Sequence, residues 1–152
     1  MPELSAGLLM YRKKNDAIEY FLVHPGGPFF VKKNAGVWSI PKGVPEKDED
    51  LLVAAQREFF EETGITPQGP FQSLGAAKQK SGKLVHAWLF EGDWDPAQGI
   101  VCNTFELQWP PRSGKYIQVP EVDRAEWMTL DHAVTMINPG QIPFLERARD
   151  IV

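Results

Sequence analysis

The sequence predicts an α+β protein or a three-layer α/β/α arrangement, and three observations lead there. Residues 6–24 and 71–91 hold short apolar, β-branched and aromatic runs separated by polar turns, which is strand patterning. Residues 50–63 contain neither Gly nor Pro and consist largely of good helix formers. Two more helical stretches, 130–136 and 144–150, close the chain. Strands grouped apart from helices bury their apolar faces as stacked layers. At 152 residues the chain fits a single domain spanning 1–152, large enough for a core without disulfides or structural metal.

Taken in order, AGLLMYR (6–12) reads as a first strand and EYFLVH (19–24) as its hairpin partner across a polar turn. PGGP (25–28) is a loop. Residues 37–40 are short and extended, because Pro41 keeps Ile40 out of helical geometry. The 50–63 helix follows, with Asp48, Glu49 and Asp50 at its start, where capping and the helix dipole favour acids. Gly64 stands where a left-handed cap is expected. Residues 71–79 and 84–91 read as strands around the Ser81-Gly82 turn. The stretch 92–124 is long and broken by Pro and Gly, and its aromatic residues argue for order and function. Within it, 104–109 alternates as a strand, and 125–129 reads as the last strand.

The helix carries the chemistry. Glu58, Glu61 and Glu62 stand at i, i+3 and i+4 and share a face, whereas Leu52, Val53, Phe59 and Phe60 are expected on the core side. Crowded carboxylates suit a hard divalent cation, and Mg2+ characteristically bridges carboxylates and substrate phosphates. Arg57 precedes Glu61 by four residues and is placed to hold that carboxylate. An isolated Glu-x-x-Glu-Glu would be only a solvated acidic face. Here Gly43, Glu49, Arg57 and Gly64 stand at fixed spacing around it.

Residues 43–65, GVPEKDEDLLVAAQREFFEETGI, fill every position of Gly-x5-Glu-x7-Arg-Glu-apolar-x-Glu-Glu-x-Gly-apolar. This resembles the Nudix box of the MutT-like hydrolases, a far more specific signal than a lone glycine motif. With HPGGPF early and WPPRSGK late, the whole chain is similar to a bacterial subgroup of predicted NTP pyrophosphohydrolases. The resemblance implies a mixed β-sheet between helices and metal-assisted attack of water on a diphosphate linkage, with Mg2+ or Mn2+ as cofactor. It implies that Glu58, Glu61 and Glu62 bind metal, joined by the carbonyl of Lys42, and that Glu61 or Glu62 is the general base. Arg57 would orient a carboxylate. One more acid is expected from a late loop, Glu106 first and Glu121 second.

For substrate, WSIPKG (38–43) resembles the approach to the box in hydrolases of dinucleoside polyphosphates and nucleoside triphosphates. Lys42 would meet a phosphate as a point charge. Trp38, Arg112 and Lys115 are the other substrate-binding candidates, and Trp109, Phe105 and Trp127 are rings that can stack a base. A nucleoside di-, tri- or polyphosphate derivative is the expected substrate, a nucleoside triphosphate or dinucleoside polyphosphate first. A catalytically inactive nucleotide sensor is the rival class, although none of the box glutamates is broken. An RNA-end decapping hydrolase shares the box but calls for a basic track, which a net charge of -4 does not supply. No long apolar run predicts a membrane span, and no secretory signal is read at the N-terminus. The single cysteine, Cys102, excludes an internal disulfide. The expectation is a cytoplasmic monomer or homodimer without a nucleic-acid partner.

Overall fold

A computed structural model describes residues 3–152. Strand β1 (Leu4–Lys14) lies at the centre of the main sheet. Around it stand β2 (Ala17–Pro25), the short β3 (Lys42–Gly43), β4 (Gln72–Lys78), β5 (Leu84–Glu91) and, after an outlying ribbon, β8 (Val122–Thr129). The order across the sheet is β4-β5-β1-β2-β8, with β3 paired to β1. Only β1 and β5 run parallel, so the sheet is mixed. The ribbon consists of β6 (Thr104–Gln108) and β7 (Tyr116–Pro120), paired with each other in a separate two-stranded sheet.

Central strands covered on both faces read as continuous apolar runs rather than alternating ones, and β1 does so. Ala6, Leu8 and Met10 face helix α1 (Leu51–Thr63), together with Phe21, Val23, Phe59 and Phe90. Leu9, Tyr20 and Leu22 face the other way, toward α2 (Leu130–Met136) and α3 (Ile142–Ile151), where Ala133, Phe144 and Leu145 are buried. The two cores are the two filled gaps of an α/β/α sandwich. Arg147 of α3 also donates to the carbonyls of Leu74 and Ala76, at 2.8 and 2.9 Å, on edge strand β4. Among the described residues, no helix is long and apolar enough to cross a membrane.

The expected N-cap forms: Asp50 accepts from the amides of Leu52 and Val53 at 3.1 and 3.2 Å. Gly64 ends the helix at φ 78°, which only glycine adopts freely. The buried face is narrower than expected. Phe59 is fully buried, but Val53 and Phe60 remain 52% and 51% exposed. The helix lies over β1 with Ala54, Ala55 and Phe59 inward, and Glu62 shares that inner side. Phe59 meets Phe21 and Phe90 at ring-centroid distances of 5.9 and 5.3 Å. Phe59→Ala is therefore expected to destabilise by roughly 3–5 kcal/mol, whereas Phe60→Ala should cost far less. Urea unfolding of both variants checks this; equal losses would contradict the packing.

Candidate active site

Three segments far apart in sequence converge on one cavity of about 420 Å³. α1 supplies Glu58 and Glu62, β3 supplies Lys42 and Gly43, and the entry to β8 supplies Glu121. Carboxylate oxygens of Glu58, Glu62 and Glu121 all lie within 4.8 Å of one another. Glu62 is almost wholly buried and accepts the amide hydrogen of Lys42 at 3.2 Å.

Each member of the trio is pushed up from the ordinary glutamate range. For Glu62 the shift is large; burial is the main cause, followed by the charges of Glu58 and Glu121, with Lys42 working against it. Burial leads for Glu121 too, followed by Glu58 and Glu61. Glu58 rises through burial although Arg57 pulls it down. Burial lowers the Lys42 ammonium, with Lys83 adding to it and Glu62 opposing. A set of close, partly desolvated carboxylate oxygens under-supplied with positive charge is what a hard divalent cation fits. In the metal-free protein the linkage has a definite sign. A carboxyl whose folded pKa is raised binds protons more tightly in the folded state, so stability is lost as pH rises from about 4.5 through the raised values. The melting temperature in EDTA is expected to increase on going from pH 7.5 to about 5.5. A decrease over that interval, followed by differential scanning fluorimetry, would contradict the cluster's electrostatics.

Arg57 organises the outer side of the site. Its Nε and Nη2 donate to the two oxygens of Glu49, both at 2.9 Å, and Nη1 donates to Glu58 and Glu61, both at 3.0 Å. Paired this way, Arg57 is raised further above its ordinary value, chiefly by Glu49. Glu49 is lowered to about 2, by Arg57 first and by the amide of Glu46 second. Gly43 is required for space: a Cβ there would collide with the Glu58 carboxylate, whereas the residue's φ is not positive. The wall above is fixed by buried Gln141. It accepts from the Ile40 amide at 3.0 Å and donates to Ser39 Oγ and Gln79 Oε1 at 3.0 and 2.9 Å.

The structure places several of the expected residues outside the cavity. Glu121, the second choice, joins Glu58 and Glu62, and Glu106 does not. Phe105 lines the cavity, so the two-residue period of β6 turns Glu106 away. Glu61 is likewise outside the trio, held by Arg57. Trp38 is fully buried, its Nε1 donating to Asn34 at 2.9 Å, and offers no face to a substrate. Trp127 is half-buried, donates to the Trp94 carbonyl at 2.8 Å, and carries the Arg12 guanidinium over its ring. Trp109 packs edge-on against Phe29. Arg112 and Lys115 are exposed near the ribbon's turn and do not line the cavity. Of the predicted substrate-binding and base-stacking side chains, Lys42 and Phe105 do. No local signal could have preferred Glu121, because strand alternation separates Phe105 from Glu106 without saying which of them faces the cavity.

The NUDIX domain family model matches residues 1–148. The chain is 31% identical over 115 residues to the mRNA-decapping protein g5R of African swine fever virus (isolate Pig/Kenya/KEN-50/1950), covering 72% of this chain and 44% of that one. It therefore spans less than half the length of that relative. It is 32% identical over 133 residues to Nudix hydrolase 21, chloroplastic, of Arabidopsis thaliana, covering 83% and 60% respectively. Among solved structures, a C. elegans Ap4A hydrolase binary complex superposes with a TM-score of 0.66 at 22% identity, over 98% of this chain and 96% of that one. That last likeness is one of fold.

Proposed function

The chain belongs to the NUDIX family, and on that premise we propose that it is a divalent-metal-dependent pyrophosphohydrolase that cleaves a diphosphate linkage in a nucleoside tri- or polyphosphate. The observation that carries this reading is the trio Glu58, Glu62 and Glu121 beside Lys42 in one cavity. Those three carboxylates would hold Mg2+ or Mn2+. Such a cation, when bound, neutralises phosphate oxygens and lowers the pKa of a coordinated water.

The chain's own groups do the rest. Lys42 meets the phosphate chain as a point charge. Arg57 fixes Glu58 and Glu61 in place through its fork of hydrogen bonds. Glu61 or Glu62 would accept the proton from the attacking water, and Arg57 holds Glu61 in place. The valine-rich wall and buried Trp38 behind it keep bulk water from one side of the reacting phosphate.

The test is a panel of nucleoside and dinucleoside polyphosphates with Mg2+ or Mn2+, reading phosphate and pyrophosphate release. Turnover is expected with metal and should vanish in excess EDTA. Full activity in EDTA would refute the metal-dependent reading. The identity to a protein named for mRNA decapping supports a second reading, in which a capped RNA end is the substrate. A capped oligonucleotide cleaved in strong preference to every free nucleotide would select it.

A further inference from the structure

The cavity presents two unlike sets of lining groups. One is the three carboxylates with Lys42. The other is apolar: Val23, Val37, Ile40, Val44 and Val122 with Pro25, joined by the 40%-exposed ring of Phe105. The remaining polar side chain in the lining, Ser39, is already engaged. Its hydroxyl donates to the Ile40 carbonyl at 2.6 Å and accepts from Gln141 Nε2 at 3.0 Å. Part of the wall's backbone is engaged as well. Val23 and Ser39 exchange N–H and C=O bonds at 2.9 and 3.0 Å, and the Ile40 amide donates to Gln141. A base entering against this wall meets valine methyls and one aromatic ring, with these hydrogen-bonding groups already paired.

Recognition through hydrogen bonds and recognition through apolar contact differ greatly in selectivity. A site that hydrogen-bonds a substrate group rejects analogues lacking it by about 10⁴–10⁵-fold, whereas an apolar pocket separates near-isosteres by only about 10–200-fold. Stacking on an aromatic ring is likewise tolerant, because every base has a π-face. We infer that the cavity takes nucleoside polyphosphates without reading the edge of the base. The carboxylate-and-lysine side selects for the phosphate chain, and Phe105 with the valine wall holds any base by its face. This rests on the nucleotide-cleaving reading above and deepens it.

The experiment uses pairs of bases of equal size but opposite hydrogen-bonding edges. Binding of the α,β-methylene analogues of ATP, GTP, CTP and UTP to the full chain with Mg2+ is measured by calorimetry. Kd values are expected to agree within about tenfold inside each pair, ATP with GTP and CTP with UTP. Phe105→Ala is expected to weaken all four by a similar factor, about tenfold or more. A thousandfold preference within either pair overturns the inference, as does failure to bind any of the four. Phe105→Ala without effect on every Kd overturns the role of that ring. Turnover of the parent nucleotides, measured alongside, separates the two readings. Edge-blind binding without cleavage upholds this inference and counts against the proposed reaction, and cleavage confined to one base does the reverse.

Discussion

Glu62→Gln is expected to cut turnover by roughly a thousandfold or more while raising the melting temperature of the metal-free protein. The first effect follows because Glu62 is the buried member of the carboxylate trio. A cation held there is worth several kcal/mol of transition-state stabilisation, and each ~1.4 kcal/mol is a factor of ten. The second follows because burial and the neighbouring charges of Glu58 and Glu121 disfavour the ionised Glu62 in the folded protein. Glutamine is nearly isosteric and keeps an oxygen to accept the Lys42 amide. The variant should also lose most of the stabilisation that Mg2+ gives the parent protein. Glu61→Gln should behave differently, lowering turnover while leaving that Mg2+ stabilisation largely intact. Kinetics and thermal melts with and without Mg2+ decide the matter. Near-parental turnover in Glu62→Gln would remove this residue from the site, and a lower melting point in EDTA would contradict the electrostatic account.

Gly43→Ala is expected to fold normally and still lose about a hundredfold or more in turnover. The three nearest atoms that an added methyl meets all belong to the Glu58 carboxylate, and the backbone at residue 43 does not need glycine's positive φ. Gly→Ala at a conformationally permitted position changes stability by only about 1 kcal/mol or less. Glu58 must nevertheless swing aside, breaking its bond to Arg57 and leaving the trio. A displacement of about 1 Å in a catalytic constellation costs on the order of a hundredfold. Circular dichroism and kinetics on the same preparation test both halves. An unfolded variant, or one as active as the parent, would show that the glycine serves another purpose.

What could be read ahead of the structure was local. Asp50 and Gly64 bracket α1 because a cap and a left-handed residue are decided by the few amides around them. Strand Leu84–Glu91 and helix Leu130–Met136 fell where their patterns put them for the same reason. The Arg57–Glu61 pair is an i,i+4 contact and needed only the helix. Failures came where distant segments decide. Strand β7 went unread, although Tyr116, Ile117 and Val119 suit a strand, because its partner β6 lies across a turn containing Pro110, Pro111 and Gly114. Without that pairing, nothing fixed which way Glu106 faces or that the chain returns to set Glu121 beside α1. The apolar residues of the helix do not form one stripe. At about 3.6 residues per turn Val53 and Phe60 stand roughly 100–120° from Phe59, and the sheet covers the side that runs through Ala55, Phe59 and Glu62. Trp38 reads as a substrate-binding candidate because an aromatic before the box can serve either a pocket or a core. Its burial depends on α2, nearly a hundred residues later, where Ile137 bridges to it.

The Gln141 clasp bears on when, during synthesis, the protein can become competent. A ribosome releases the chain from its N-terminus, and domains assemble as their segments emerge. The box helix and its carboxylates are therefore made long before residue 141 exists. Ser39 and Ile40 meet Gln141 across 102 and 101 positions of sequence, contacts of the slow, loop-closing kind. Until they close, the wall beside the carboxylates has an unpaired Ile40 amide and nothing to hold its register. The nascent or C-terminally clipped chain thus carries its acidic residues without a formed pocket, and the proposed hydrolysis is expected only once the segment around Gln141 has docked.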